Sequence, residues 1–292
     1  MANILSGLEK LGLGGVKNVE VYGNDSKEDA GKSRNAVNNS SDNGATTASA
    51  ANEVIPDEDE FIFEKGYSCP CCYADFKSKR LRTGKARALK PDSDLRPRHK
   101  YIDTVKYDVV ACPNCGYAAI GLYFDQLSSF QAKQIREQVS KDFKGFGKGG
   151  KTYSYDEAIL RCKLAVLDTV IKRGRPSEKA FTCLKLAWLY RGKAEELSLA
   201  SGNVDNAELE ALNKEELENL ELAYEGFNEA YSAERFPICG MNEPSYLYLL
   251  AELARRLGKI DDCKRLISRI LVEKHVSHNV KLLVEQLREK IK

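Results

Sequence analysis

The sequence has 292 residues, of which 42% are hydrophobic and 30% charged, as in a soluble protein long enough for two domains. Its 45 basic and 43 acidic residues leave a formal net charge of +2, so net charge indicates no particular partner. No stretch approaches the roughly 20 apolar residues of a transmembrane helix, and the first residues lack the basic and apolar regions of a signal peptide. We therefore expect a cytoplasmic protein with no membrane partner, whose nine cysteines are reduced.

The first 60 residues contain two different segments. Residues 1–22 include a short, helix-like apolar run that is too brief to be stable alone, so it needs a surface to dock against. Residues 23–60 are rich in Ser, Asn, Ala and Gly, and such a composition buries too little apolar surface to offset the entropy of ordering. We predict a disordered linker over residues 23–60.

Residues 61–145 are predicted to form a zinc-ribbon domain with a trailing helix. Aromatic and β-branched residues lead into two cysteine pairs, and residues 105–109 alternate between apolar and polar, so both pairs should lie at strand ends. The trailing helix should begin with Ser128 or Ser129 as its N-cap. The glycine-rich residues 145–151 then indicate a domain boundary.

The strongest chemical signal is a pair of C-x-x-C motifs, Cys69 with Cys72 and Cys112 with Cys115. Two thiolates three positions apart on a tight turn face one ion, and four of them complete a tetrahedral zinc shell. A closed shell leaves no position for an activated water, so we expect a structural Zn²⁺ ion and no catalytic metal. Cys71 is an alternative to Cys72, although C-x-C spacing fits a zinc-binding turn less well. A redox dithiol is less favoured, because the thioredoxin-like βαβ context is missing.

The insert between the two pairs, residues 77–100, carries ten basic and two acidic side chains. Such an insert contacts phosphates through counterion release, so it is a candidate nucleic-acid interface. The candidate residues are Lys77, Lys79, Arg80, Arg82, Lys85 and Arg87. The alternatives are a solvated hairpin or an insert that docks on the acidic residues 193–229 of the same chain. Nucleic acid is the less favoured partner, because the interleaved aromatic residues of single-strand binders are missing.

Residues 152–292 are predicted to form an all-α domain of TPR-like helical repeats. The expected helices lie near residues 155–171, 177–191, 214–233, 243–257, 261–273 and 278–291. Small residues at helical packing positions favour paired helices, and the last helix has the amphipathic pattern of a terminal cap. Repeat stacks of this kind commonly bind proteins, so we expect a protein partner at this domain.

Three local signals fix the ends of these helices. Ser154 with Glu157 forms a capping box before the first helix, and Asn213 with Glu216 offers an analogous cap before the third. Gly258 supplies a stop for the fourth helix, since glycine readily adopts the left-handed conformation that ends many helices.

An enzyme is a third hypothesis, and the sequence gives it little support. We identify no GxSxG, P-loop or HExxH site, and three histidines are a small supply of general bases. Asp92, Asp94, Arg96 and Arg98 form the one polar cluster of catalytic interest, which we interpret as a set of exposed loop ion pairs. We therefore expect a protein without catalytic activity.

Several long stretches resemble one bacterial family. The resemblance is carried by FIFEKGYSCPCCYADFKSK, DSDLRPRHKYIDTVKYDVVACPNCGYAA and YFDQLSSFQAKQIREQVSKDFKG, and it spans most of residues 61–292. These motifs are similar to those of the proteins grouped as domain of unknown function 2225, found largely in Firmicutes. The resemblance implies a cytoplasmic zinc-ribbon and TPR-like protein of no established activity, with Cys69, Cys72, Cys112 and Cys115 as the metal ligands.

The sequence thus predicts an α+β protein, in which a small zinc-ribbon β unit precedes an all-α TPR-like domain. The leading functional hypothesis is a non-catalytic zinc-binding adaptor or scaffold that binds protein partners through its helical domain. The alternative hypothesis is a regulatory factor that associates with nucleic acid through the basic insert.

Overall fold

The computed structural model describes residues 5–15, 21–22, 56–199 and 206–291. Three short antiparallel strand pairs precede most of the helical residues, so the fold is α+β as predicted. The predicted disordered linker lies outside the described residues as far as residue 55. Its last three residues are ordered and belong to a 3₁₀ helix, Glu58–Phe61, which adjoins the first strand.

Six short strands form three antiparallel pairs in the described residues. These are β1 (Ile62–Ser68) with β2 (Asp75–Leu81), β3 (Ala88–Leu89) with β4 (Arg98–His99), and β5 (Val109–Ala111) with β6 (Ala118–Ile120). Ser68 lies opposite Asp75, and Ala111 lies opposite Ala118. Each C-x-x-C motif is therefore the connection of a hairpin, which confirms that both cysteine pairs lie at strand ends.

The strand predicted from the alternating residues 105–109 is wrong over most of its length. Thr104–Tyr107 forms a 3₁₀ helix, because the Asp103 carboxylate accepts the Val105 N–H and starts a turn. All four residues of this helix are buried. An alternation of apolar and polar residues indicates a strand when one face is buried and the other is exposed. That condition is not met here.

Seven α-helices are present in the described part of the chain. They are α1 (Ser129–Ile135), α2 (Tyr155–Ile171), α3 (Pro176–Leu199), α4 (Asn206–Ala233), α5 (Glu243–Arg256), α6 (Ile260–Val272) and α7 (His278–Glu289). Ser128 caps α1 and forms a capping box with Gln131, and one π-helical turn, Arg136–Ser140, follows. The capping box of Ser154 and Glu157 is present at the start of α2, as predicted.

The cap predicted at Asn213 is wrong, because α4 already begins at Asn206 and runs through that position. Glu216 does not bond back to a helix start; its carboxylate accepts a hydrogen bond from Arg191 Nε at 2.8 Å. The stop predicted at Gly258 is confirmed. Gly258 has a φ of +71°, and the Lys259 N–H closes the end of α5 on the Ala254 carbonyl at 2.8 Å.

The helices pack in chain order: α2 on α3, α3 on α4, α4 on α5, and α5 on both α6 and α7. Helix α2 also packs on β5 and β6, so the second hairpin and the helices share one hydrophobic core. Trp188 lies in this core, as its helical packing position predicts. No helix of the described residues is long and apolar enough to cross a membrane.

A buried ionic network holds the insert against the helices. Asp94 is 0% exposed, and its carboxylate accepts hydrogen bonds from Trp188 Nε1 at 3.0 Å and Arg191 Nη2 at 2.6 Å. Burial alone raises the pKa of Asp94, but the Arg191 hydrogen bonds and charges outweigh it and lower the pKa below its ordinary value. Asp94 therefore stays ionised and pairs the insert with α3.

Asp94→Ala should destabilise the protein by about 3 kcal/mol, because it leaves the Trp188 N–H and one nitrogen of Arg191 without an acceptor in a buried place. Arg191 keeps its contacts with Asp92 and Glu216. Asp75→Ala is the matched control, since Asp75 is exposed at the start of β2, and its cost should stay within about 0.5 kcal/mol. Guanidinium unfolding followed by circular dichroism measures both. Equal unfolding midpoints for the two variants would contradict this role of Asp94.

Candidate metal centre

The first cysteine turn follows β1 directly. The Cys69 N–H donates to the Ala74 carbonyl at 3.0 Å, and the Tyr73 N–H donates to the Cys69 carbonyl at 2.8 Å. These two bonds fold the chain sharply enough to place two thiols on one side. Tyr73 ends the turn with a φ of +64°, a left-handed conformation that is unusual for a side chain of this size.

The second turn repeats this backbone pattern after β5. The Cys112 N–H donates to the Tyr117 carbonyl at 2.8 Å, and the Gly116 N–H donates to the Cys112 carbonyl at 3.1 Å. Gly116 has a φ of +80°, so it adopts the conformation that Tyr73 adopts in the first turn. The sequence difference between Tyr73 and Gly116 therefore does not change the geometry of the turns.

The two turns bring four sulfur atoms together. The Sγ atoms of Cys69, Cys72, Cys112 and Cys115 all lie within 4.8 Å of one another. Cys69 Sγ and Cys115 Sγ are 3.6 Å apart, and Cys72 Sγ and Cys112 Sγ are 3.7 Å apart. A disulfide requires about 2.05 Å, whereas tetrahedral bonds of about 2.3 Å place sulfurs about 3.8 Å apart. The spacing fits four ligands of one metal ion.

Cys71 lies outside this cluster, so it does not replace Cys72 among the four clustered sulfurs. Its side chain is fully buried, and its Sγ donates to the Ala132 carbonyl of α1 at 3.6 Å. Arg136 Nη1 donates to the Cys71 carbonyl at 2.7 Å, so the trailing helical segment contacts the backbone of the turn. Cys72 is accordingly the residue that faces Cys112.

The four sulfurs interact strongly with one another and with a nearby amide. Hydrogen bonds among the thiols lower the pKa of Cys112 and raise the pKa of Cys69 and Cys115. Asn114 Nδ2 donates to Cys72 Sγ at 3.5 Å. Cys72 is the one member of the cluster that is half-buried, and the other three are buried. Four thiolates of this kind bind Zn²⁺ or iron.

The candidate nucleic-acid residues are mostly occupied by contacts within the chain. Lys79 Nζ donates to the Gly150 and Thr152 carbonyls, and Arg80 Nη1 donates to the Tyr107 carbonyl at 2.9 Å. The remaining contacts are Lys77 with Glu64, Arg82 with the Ile62 carbonyl, and Lys85 with Glu60. Four of the six candidates are exposed, and two are half-buried; the exposed ones are Lys77, Arg82, Lys85 and Arg87. The structure therefore brings part of this set to solvent, although most of its members already have a partner in the chain.

The polar cluster of the insert is a set of ion pairs, but the prediction that it is exposed is wrong. Arg96 is 1% exposed, and its Nη2 donates to Asp103 Oδ2 at 2.6 Å. Arg98 forms hydrogen bonds with Asp92 at 2.7 Å and with Glu195 of α3 at 2.6 Å. Because Glu195 belongs to the acidic residues 193–229, this part of the insert docks on the protein's own helices.

A cleft of about 520 Å³ opens beside this network. Its polar groups pair with each other: Tyr155 Oη donates to Asp103 Oδ2 at 2.9 Å, and Lys106 Nζ lies 2.7 Å from Glu58 Oε1. Burial raises the pKa of Tyr155 above its ordinary value, so its hydroxyl stays protonated and acts as a donor. The paired groups hold the cleft wall together and leave Tyr155 unsuited to act as a base.

The glycine-rich segment, interpreted above only as a domain boundary, also contains the letters of a phosphate-binding motif. Residues 145–152 read GFGKGGKT and match the phosphate-binding P-loop pattern GxxxxGK[ST]. A P-loop connects a strand to a helix and points its backbone N–H groups at phosphate. Here the π-helical turn Arg136–Ser140 precedes the loop, and the Gly150 and Thr152 carbonyls accept from the Lys79 ammonium. The match is therefore one of letters and not of structure.

The geometry and the fold define a class: a small four-cysteine candidate metal unit that packs on an ordered series of helices. Residues 62–292 match the model of a family described as uncharacterized protein conserved in bacteria (DUF2225), and the chain belongs to that family. The family and its extent confirm the resemblance seen in the sequence. No curated protein and no solved structure matches the chain.

Cys69→Ser and Cys112→Ser should each abolish stoichiometric metal binding and unfold the hairpin unit, because a structural zinc ion contributes on the order of 10 kcal/mol. Cys71→Ala is the matched control and should keep the metal, since Cys71 is not one of the four clustered cysteines and its thiol donates to the Ala132 carbonyl. Metal content by mass spectrometry and thermal melting by circular dichroism measure the two effects. A metal-free wild-type protein that is fully folded would contradict the site.

Gly116→Ala should destabilise the second turn by about 1–2 kcal/mol or more, because a left-handed alanine is strained. Its added Cβ would also lie 2.8 Å from Phe143 Cγ. Tyr73→Gly is the matched change in the first turn, where the side chain is 77% exposed, and it should be neutral or stabilising by up to about 1 kcal/mol. Denaturant unfolding of the metal-loaded proteins tests the pair, and the reverse order of stability would refute the shared geometry.

Proposed function

We propose that this protein is a non-catalytic adaptor, in which a structural zinc ion orders the hairpin unit and the TPR-like helical domain binds a protein partner. The observation that carries the proposal is the set of four sulfur atoms within 4.8 Å of one another. Four sulfurs fill a tetrahedral shell, so a zinc ion held there has no open position for water or substrate. A metal of this kind contributes stability and shape.

Zinc is favoured over iron by the context of the site. The two turns close hairpins of seven and three residue pairs, and hairpins this short are marginally stable by themselves. A redox-inert ion with no geometric preference beyond four ligands meets this structural need. Metal analysis of protein purified without added metal distinguishes the two ions.

The order of helix packing supports the TPR-like part of the proposal. Each helix from α2 to α5 packs on the next helix in the chain, which is the arrangement of a repeat stack. Helices α5 and α6 form a hairpin that turns at Gly258, and α7 packs on α5 as a terminal cap does. Repeat stacks present extended surfaces, and those surfaces are commonly used to bind proteins.

The buried polar groups support the non-catalytic part. Asp94, Arg96 and Asp103 are paired across the junction between the insert and the helices, where they stabilise the fold. A catalytic acid or base needs a pKa tuned to its reaction and access to a substrate. Asp94 has a lowered pKa and is fully buried, so it meets neither requirement.

The nucleic-acid hypothesis stays a prediction and is the weaker one. Lys79, Arg80 and Arg82 each donate to a backbone carbonyl of this chain, and a phosphate would have to compete with those bonds. Lys77, Lys85 and Arg87 are exposed, and the first two pair with glutamates at the surface. Six phosphate contacts would give a steep dependence on salt, whereas three would give a shallower one.

Site-specific photocrosslinking tests the adaptor proposal. A benzophenone side chain placed at the exposed positions Leu217, Leu271 or Leu282 of the helical domain should capture a protein partner from the source cells. Matched controls place the same group at Tyr73 and Leu122, which are exposed to a similar or greater degree in the hairpin unit. Adducts should form at the helical positions and should be lost in competition with unlabelled wild-type protein.

Adducts confined to Tyr73 or Leu122 would move the interface to the hairpin unit and overturn the assignment to the helices. Crosslinks to nucleic acid, with binding that weakens steeply as salt rises, would favour the alternative function. A protein that forms no adduct at any of the five positions would count against an adaptor.

A further inference from the structure

The N-terminal residues lie deep in the core of the helices. Leu5, Leu8, Leu11, Leu13 and Val21 are each 5% exposed or less. Leu8–Leu11 forms one 3₁₀ turn, which is too short to be stable without the surface that it contacts. This N-terminal segment, residues 5–15 with 21–22, therefore fills a groove whose walls belong to the rest of the protein.

Specific polar contacts fix the segment in this groove. Lys163 of α2 donates through Nζ to the Ser6 carbonyl at 2.7 Å and to Ser6 Oγ at 3.2 Å. The Lys144 N–H donates to the Leu11 carbonyl at 2.9 Å. The groove thus recognises backbone carbonyls as well as leucine side chains. This combination of contacts is how a surface binds a peptide segment.

Tyr22 lies against a glycine on α4. A Cβ at Gly226 would overlap the Tyr22 ring and hydroxyl, so the absence of a side chain makes room for an aromatic residue. Lys179 Nζ lies 5.7 Å from the centre of the Tyr22 ring. The Tyr22 hydroxyl is buried, and none of the described residues offers it a hydrogen bond. An unpaired buried hydroxyl weakens the hold of the groove on its present occupant.

The groove and its occupant differ in their relation to the family. The family match begins at residue 62, so Lys144, Lys163, Lys179 and Gly226 all lie inside it. The N-terminal segment lies outside it and reaches it through residues 23–55. The groove is accordingly a feature of the matched region, and the segment that fills it is joined to that region as an addition.

We propose that this groove is a peptide-binding site, and that the N-terminal segment is a tethered competitor that occupies it until a partner protein displaces it. The partner supplies a leucine-rich segment with leucines two to three residues apart. It offers a carbonyl or hydroxyl oxygen to Lys163 and an aromatic ring to Gly226. This inference rests on the proposed adaptor function and names the binding site and the chemistry of the partner.

Covalent attachment determines how strongly the segment competes. A tethered segment acts at an effective concentration that reaches the millimolar range, so an untethered peptide of equal affinity is at a large disadvantage. Cutting the tether removes this advantage without altering a single contact in the groove. The apparent affinity of an added peptide should then rise by about 100-fold or more.

The experiment uses the full chain with a specific protease site placed within residues 23–55. The probe is a fluorescent synthetic peptide of residues 1–22, and its binding is measured by anisotropy before and after cleavage. Binding should be at least about 100-fold tighter to the cut protein than to the intact one. Circular dichroism and metal content of the cut protein, measured in the same samples, report whether it stays folded as the peptides exchange.

Two probe variants separate specific from general binding. A Leu8→Asp peptide should bind at least about tenfold more weakly, because it would bury a charge where a leucine now lies. A Lys10→Ala peptide is the matched control and should bind as the wild-type peptide does, since Lys10 is exposed. A Lys163→Gln chain should weaken binding of the wild-type peptide, because it removes the ammonium donor to Ser6.

Two results would overturn this inference. In the first, the cut fragment never exchanges with the probe; in the second, its release unfolds the protein. Either one makes the N-terminal segment an integral part of the core. Crosslinked partners at α4, α6 or α7 that the peptide does not displace would leave the adaptor function intact and refute the groove alone. A peptide that binds as expected, with no partner captured at any crosslinking position, would support the groove and count against the adaptor function.

Discussion

The meeting of four cysteine sulfurs is the constraint on which the rest of the hairpin unit depends. Cys69 and Cys115 are 46 residues apart in sequence and 3.6 Å apart at their sulfurs. Closing a loop of this length costs conformational entropy, and the short strand pairs alone do little to offset that cost. A metal ion bound by both turns contributes a large and local stabilisation, so it is the natural closure for the loop.

Closure of this loop also determines where the insert lies. The insert connects the two turns, so the sulfur cluster fixes both of its ends against α1 and α2. Its middle then reaches α3, where Asp94 meets Arg191 and Arg98 meets Glu195. The metal unit and the helices are in this way joined at two places, by a shared apolar core and by a buried ionic network.

The sequence predicted the elements with strong local signals and missed those set by tertiary contacts. The helix over residues 155–171 was found residue for residue, because a capping box begins it and an apolar pattern fills it. The start of α4 was missed, since Asn213 imitates a cap while the residues before it are strong helix formers. The strand prediction for residues 105–109 was wrong because apolar and polar residues alike are buried in the 3₁₀ helix that forms there, so their alternation does not indicate a strand.

The candidate site shows the same division. The C-x-x-C spacing was enough to name four sulfurs that the fold does bring together. The burial of Asp94 and Arg96 could not be read from sequence, because their partners Trp188, Arg191 and Asp103 are distant or on another element. The leucines near the N-terminus indicated that this segment must pack against another part of the protein. The sequence did not indicate which part that is.

The unequal burial of the four cysteines gives the site a direction. Three of them are enclosed by the protein, and Cys72 alone borders solvent. An incoming ion would meet Cys72 first, and a chelator or an oxidant would reach the cluster by the same side. Loading and removal of a metal ion, and oxidation of the sulfurs, would therefore all begin at Cys72.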